Sequence, residues 1–266
     1  MSIFNAISRD KLFRLIGTSA CPVLIDVRDN PSRLVPGARP LRSDEVECWA
    51  KAASGPVVTI CERGLEKAAG AAAWLRHEGI DAEILEGGIA AWEEAGLPTV
   101  DASKMPPRDD QGRTRWVTRA RPKVDRIACP WLIRRFVDPQ AVFLFVAPSE
   151  VAGVAKQFDA APFDCEGVFW SHRGETCSFD TMVEEFGLGT EPLRHLATIV
   201  RGADTARPDL APEAPGLLAA SLGLSRMYVD DLAQLEAGMV LYDAFYRWCR
   251  DATGETHNWP TNRVVS

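Results

Sequence analysis

Val57-Val58-Thr59-Ile60-Cys61-Glu62-Arg63-Gly64-Leu65-Glu66-Lys67 runs directly into an Ala-rich stretch, residues 68–75. The first four residues form an apolar, β-branched run that suits a buried strand. A turn containing Gly64 follows, and then a segment of high helix propensity. Cys61 is therefore expected where a strand ends and a helix begins. The first N–H groups of that helix lack intrahelical partners, and the positive end of its dipole lies beside them. A thiol placed there is biased toward thiolate, the nucleophilic form.

Outward from this stretch, residues 1–100 alternate strand and helix. A helix over 9–16, with Ser8 as its cap, precedes a buried strand over 23–27, which ends in the turn residues Arg28-Asp29-Asn30-Pro31. Ser43 caps an expected helix over 43–53, and the helix after Cys61 runs to about His77. A short strand over 82–85 leads through Gly87-Gly88 into a helix over 89–95 that Gly96 and Pro98 close. Strands alternating with helices imply an α/β fold with a mostly parallel sheet covered on both faces.

Leu24-Ile25-Asp26-Val27-Arg28, Cys61-x-x-Gly64 and Leu85-Glu86-Gly87-Gly88-Ile89-x-x-Trp92-x-x-x-Gly96-Leu97-Pro98 together resemble the rhodanese (sulfurtransferase) domain. The resemblance implies that Cys61 accepts a sulfane sulfur as a persulfide. It also implies that the loop of Glu62, Arg63, Gly64, Leu65, Glu66 and Lys67 cradles an anion with its backbone N–H groups. Asp26 and Arg28 match the family's strand-end pair, whose implied role is loop support. The chain departs from the pattern at Glu66, where many relatives carry Arg, and Glu62 adds a second carboxylate. Both oppose ionisation of the thiol and repel anionic donors such as thiosulfate. Cys61 and Lys67 also give a C-x5-K spacing close to the C-x5-R of cysteine phosphatases. Lys lacks the planar fork that grips phosphate, which argues against that chemistry.

The chain has 266 residues, room for two ordinary domains, and a net charge of −7. Residues 1–100 carry 11 basic and 14 acidic side chains, residues 101–126 carry 8 and 4, and residues 127–266 carry 11 and 19. Two acidic lobes flanking a basic connector make a poor nonspecific nucleic-acid binder. No apolar run has the length of a membrane span, and the N-terminal helix carries Arg9, Asp10, Lys11 and Arg14 instead of a signal-peptide core. The expected location is cytoplasmic, with no membrane partner. The seven cysteines are scattered with no C-x-x-C pair, as free thiols would be.

The expected organisation is a rhodanese-like domain over 1–100, a linker over 101–120, a helix-rich α+β domain over 121–252 and a tail over 253–266. In the second domain, Pro130 is the expected start of a helix, because Pro suits a first helical position. A strand over 141–146, a helix over 149–158, a short strand over 168–170 and further helices over 178–186, 192–204, 216–222 and 225–251 complete it. Asp125-Arg126-Ile127-Ala128-Cys129-Pro130-Trp131-Leu132-Ile133-Arg134-Arg135, His172 with Cys177-Ser178-Phe179-Asp180, and Arg201-Gly202-Ala203-Asp204-Thr205 resemble the C-terminal domain of the chromate resistance protein B family. That resemblance implies a link to chromate resistance and chromate-responsive regulation.

His172, Asp180 and Asp204 are the candidate metal ligands, with Glu175 and Cys177 as alternates. Imidazole plus carboxylates would suit a divalent Mn, Fe or Zn, and a thiolate would favour Zn. Arg126 and Arg134 (or its neighbour Arg135) are candidates to hold a tetrahedral dianion such as chromate or sulfate. Two functional readings follow. In the first, Cys61 passes sulfur from a small-molecule or protein donor to a thiol acceptor, alongside a metal or oxyanion site in the second domain. In the second, the chain is a non-enzymatic chromate- or redox-responsive sensor or regulator. Either is compatible with a homo-oligomer.

Overall fold

The computed structural model describes residues 5–255. The expectation of a tail over 253–266 lies almost wholly outside them.

The first half contains β1 (Ala6–Ile7), α1 (Arg9–Leu15), β2 (Val23–Asp26), β3 (Arg33–Leu34), β4 (Ala38–Pro40), α2 (Val46–Ala50), β5 (Val57–Ile60), α3 (Glu66–His77), β6 (Ala82–Leu85), α4 (Gly88–Glu94) and β7 (Val100–Asp101). Five strands form one parallel sheet in the order β1-β6-β5-β2-β4. Residues alternate faces along each strand. Leu24, Val58 and Ile60 join Leu12 and Ile16 by α1 and Ile89 and Trp92 of α4 in one apolar cluster. Ile25 and Val57 join Val46 of α2 and Ala68, Ala72 and Leu75 of α3 in another. Helices thus cover both faces of the sheet, as a rhodanese-like α/β fold requires. The second helix is shorter than the sequence suggests, and Ser43 does not cap it: the Ser43 hydroxyl donates to the Val27 carbonyl.

The second half contains β8 (Arg115–Arg119), α5 (Asp125–Leu132), β9 (Val142–Val146), α6 (Val151–Phe158), β10 (Ala161–Pro162), α7 (Ser178–Glu185), α8 (Glu191–Asp204), α9 (Ala214–Met227) and α10 (Asp231–Asp251). Here helices outweigh the three-stranded parallel sheet β10-β8-β9, an α+β arrangement. Its central strand corrects the linker expected over 101–120. Trp116, Val117 and Thr118 are fully buried, but the arginines on either side hide this short run in a polar composition. The strand expected over 168–170 is reduced to a single bridge between Phe163 and Trp170.

A second correction concerns α5, which starts at Asp125 with Pro130 in its interior and widens into a π-helical turn, Ile133–Val137. Proline costs an internal hydrogen bond, so the helix tolerates it only because its neighbours are locked by packing. Trp131 is buried against Phe179, with ring centroids 6.3 Å apart, and against Phe136, Tyr242 and Tyr246.

The two halves share an apolar core. The cluster that covers the α1–α4 face of the first sheet continues through Trp116, Trp131, Phe136 and Tyr246. A methyl group on Gly17, just after α1, would overlap Phe136 and stand 2.7 Å from Tyr246. The Gly37 amide donates to the Phe136 carbonyl at 2.6 Å. Trp131→Ala opens a void at the centre of this shared core. It should destabilise the protein by about 3–5 kcal/mol, measured by urea denaturation with far-UV circular dichroism.

Candidate functional site

Cys61 follows the last residue of β5 and is 6% exposed. The chain leaves the sheet through residues 61–65, and the amide of Leu65, the residue before α3, donates to the Cys61 Sγ at 3.3 Å. The loop rests on a second helix start. The amides of Ile89 and Ala90 in α4 donate to the carbonyls of Cys61 and Glu62, each at 3.0 Å. Two glycines permit this approach. Gly64 has φ +68°, and a Cβ there would lie 2.5 Å from the Leu85 carbonyl oxygen. Gly88 has φ +62°, and a Cβ there would overlap the Cys61 carbonyl. Positive φ and crowding together exclude other side chains at both positions.

Above the sulfur is a cavity of about 620 Å³, whose lining includes Arg28, Glu62, Arg63, Leu65, Glu66 and Lys67 with Cys61. Charges within it are largely paired. Arg28 binds Asp26 in bidentate fashion, with Nε 3.0 Å from Oδ1 and Nη2 2.8 Å from Oδ2. The same guanidinium reaches Glu62 at 3.4 Å and the Arg33 carbonyl at 2.5 Å. Lys67 pairs with Asp29 at 2.6 Å. Asp26, wholly buried, thus orients Arg28, and Arg28 ties the strand end to the cysteine loop.

The second candidate site lies in the other half. The His172 Nε2 stands 3.3 Å from Asp204 Oδ2, 3.4 Å from Asp164 Oδ1 and 3.5 Å from Asp125 Oδ2. One donor atom each from Asp125, Asp164 and His172 lies within 4.8 Å of the others. Asp125 opens α5, Asp164 follows β10, His172 precedes α7 and Asp204 closes α8. The Ser178 amide donates to Asp125 at 2.6 Å, and its hydroxyl donates to Asp164 at 2.9 Å.

Burial, followed by the charges of Asp204 and Asp164, pushes the Asp125 carboxyl well above its ordinary range. Burial and then the charge of Asp164 raise Asp204 as well. Burial acts on Asp164 in the same direction, but hydrogen bonds from His172 and Ser178 and the charges of Arg126 and Arg119 outweigh it and lower that carboxyl. The hydrogen bond to Asp164 leads the causes that push His172 up to about 9, against the opposing effect of its own burial.

The structure brings His172 and Asp204 together, as the residue types suggest, but it removes Asp180 from the group. Asp180 accepts from the Cys177 amide at 3.0 Å, closing the first turn of α7, and pairs with Arg201 at 3.3 Å. Glu175 sits exposed in the Arg173–Thr176 turn. Cys177 is buried, and burial followed by the charges of Asp125 and Asp180 pushes its thiol up, away from the thiolate a soft metal needs. The two members that sequence reasoning missed are Asp125 and Asp164. Asp125 lies inside the motif that resembles the chromate-resistance domain, but nothing at that position marks it as a ligand. Asp164 carries no local signal.

Arg126 and Arg134 do not converge on an anion. Arg126 donates to the carbonyls of Arg119 and Ala120 and lies 3.3 Å from Asp164. Arg134 pairs with Glu236 and lies over the Phe143 ring, 5.2 Å from its centroid. Arg135 is held by Asp243 at 2.7 Å. Acidic partners occupy all three guanidinium groups.

The architecture is thus that of a rhodanese-like domain joined to a helix-rich α+β domain. Residues 8–95 match the rhodanese-like domain family and residues 116–249 match the family described as "ChrB, C-terminal domain". The chain belongs to the ChrB C-terminal domain family, with a rhodanese-like domain preceding that region. It is 37% identical over 156 residues to Protein ChrB of Cupriavidus metallidurans, a match covering 57% of this chain and 46% of that protein. The chain therefore spans less than half the length of that relative. A rhodanese-related protein of Thermoplasma volcanium is similar at 24% identity, over 36% of this chain and 98% of that one, with a TM-score of 0.33. A rhodanese homolog of Thermus thermophilus is similar at 26% identity, over 32% and 96% respectively, with a TM-score of 0.28. Among the described residues no helix is long and apolar enough to cross a membrane.

Arg28→Ala leaves the buried Asp26 carboxylate without its counter-charge. Breaking such a pair from one side costs about 3–5 kcal/mol. The expected outcome is an earlier urea transition and faster labelling of Cys61 by a thiol reagent.

Proposed function

We propose that the chain carries sulfur as a persulfide on Cys61 and passes it to a thiol acceptor. The observation that carries this reading is the Leu65 amide donating to Cys61 Sγ at the mouth of a cavity large enough for a small donor. In the first step the Cys61 thiolate attacks the outer sulfur of a persulfide donor, R–S–SH. The donor's S–S bond breaks, a new S–S bond forms on Cys61, and the donor leaves as a thiolate. In the second step an acceptor thiolate attacks the outer sulfur held on Cys61. That S–S bond breaks and the Cys61 thiolate returns, so no external oxidant or reductant is consumed.

The charge pattern selects the donor. Arg28, Arg63 and Lys67 face Asp29, Glu62 and Glu66 around the cavity, so its formal charge balances. Such a site favours a neutral or thiol-linked sulfur source over thiosulfate. The ChrB-type half supports a role for this chemistry in the cell's response to chromate, a strong oxidant whose reduction consumes thiols.

The test is single-turnover sulfur transfer from a low-molecular-weight persulfide, with mass detection of a 32-Da adduct on Cys61. The wild type should form and discharge the adduct, and Cys61→Ala should do neither. Turnover that survives Cys61→Ala overturns the reading. An adduct that forms but is never passed on would instead favour the sensor. Replacing both Glu62 and Glu66 by Gln should raise kcat/KM for thiosulfate on the order of tenfold, by removing repulsion at the cavity mouth.

A further inference from the structure

We propose that Asp125, Asp164 and His172 form a binding site for a first-row divalent cation such as Mn²⁺, with Asp204 at its rim. Donor atoms about 2.1 Å from a common ion lie roughly 3.0–3.4 Å apart in octahedral or tetrahedral shells. The His172 Nε2 lies 3.5 Å from the Asp125 oxygen and 3.4 Å from the Asp164 oxygen, close to that spacing. Four separate elements converge to produce it.

A second observation points the same way. Asp125 is 1% exposed. Its Oδ2 faces His172 and takes the Ser178 amide, while its Oδ1 is buried and meets no nitrogen or oxygen donor, with the Cys177 thiol the remaining group beside the carboxyl. A buried carboxylate without a full set of partners is costly unless a cation compensates it. The fixed cations nearby, Arg119 and Arg126, both contact Asp164, and His172 is the cationic group in contact with Asp125 and Asp204 among the described residues. The surroundings also hold Asp125 in place. Val124, just before it, has φ +29°, a conformation a β-branched residue avoids. The Tyr242 hydroxyl donates to the Val124 carbonyl at 2.9 Å, and the Gln234 amide donates to the Pro122 carbonyl at 2.6 Å.

The donor chemistry sets the class of ion. Two carboxylates and one imidazole make a hard oxygen–nitrogen set suited to Mn²⁺ or Fe²⁺. The thiols bordering it, Cys129 and Cys177, are buried, and the donor atoms that cluster are those of Asp125, Asp164 and His172. His172 and Asp204 remain 40% and 20% exposed, which provides an entry path and room for water on the open side.

The test is titration of the chelator-stripped full chain with MnCl₂, following the loss of the free-ion electron paramagnetic resonance signal. The wild type should bind one ion per chain. Asp125→Asn and His172→Gln should each weaken binding by at least about tenfold, whereas Asp180→Asn should bind as the wild type does. Thermal unfolding in chelator checks the fold. Asp125→Asn is isosteric and keeps a side-chain oxygen to accept the Ser178 amide, so it should unfold within a few degrees of the wild type there. Should that variant fail to fold, His172→Gln, at a partly exposed position, decides the matter. Absence of stoichiometric Mn²⁺, Fe²⁺ or Zn²⁺ binding by the wild type overturns the proposal, as does unchanged affinity in the ligand variants. The site stands apart from sulfur transfer, so Cys61→Ala should bind Mn²⁺ normally.

Discussion

The constraint on which the rest of the molecule depends is that the first sheet has an apolar face its own helices do not finish. Leu24, Val58 and Ile60 are covered by α1 and α4, and the apolar cluster they begin continues into the second half through Trp131, Phe136 and Tyr246. Without the second half, apolar side chains of this shared cluster would face water. Burying them joins the halves by the same hydrophobic term that stabilises each one. Phe136 and Tyr246 make the joint against Gly17, and Trp131 backs them from within the second half, where it packs on the π-helical turn, α7 and α10 at once.

The same packing fixes the position of chemistry on both sides of the joint. In the first half, the cysteine loop lies between two helix starts: α3 supplies the neighbourhood of the sulfur and α4 supplies amides to the loop carbonyls. Gly88 matters because it lets the α4 start come close enough to do so. In the second half, Tyr242 and Gln234 of α10 hold the chain just before α5 at Val124 and Pro122, and that grip sets Asp125 beside His172, Asp164 and Asp204. The two sites differ in electrostatic character. Around Cys61, Arg28 and Lys67 pair with Asp26, Glu62 and Asp29, whereas around His172 three carboxylates crowd together and shift one another's ionisation.

The sequence was most legible where local signals agreed with one another. The β5 run, the Gly64 turn and the Ala-rich helix all point to one local geometry, and the structure contains it. Legibility failed where a local preference was overridden. Pro130 suits a helix start, yet it lies inside α5 because Trp131 and its aromatic neighbours hold the chain helical on either side. Residues 115–119 have a linker's charge density, yet Trp116 and Thr118 are buried because β9 and β10 flank them. The oxyanion candidates failed for a further reason: Glu236, Asp243 and Asp164, distant in the chain, already engage Arg134, Arg135 and Arg126.

By itself, the sequence determined the alternation of strands and helices in the first half, the Cys61 loop and the order of the two domains, because periodicity, turn residues and propensity act over a few neighbouring positions. Tertiary structure alone decided which polar side chains meet. Asp125, Asp164, His172 and Asp204 are separated by up to 79 positions along the chain, as between Asp125 and Asp204, and no spacing rule links them. Their meeting depends on how α5, α7 and α8 pack, a consequence of core shape that has no signature in the residues around each carboxylate.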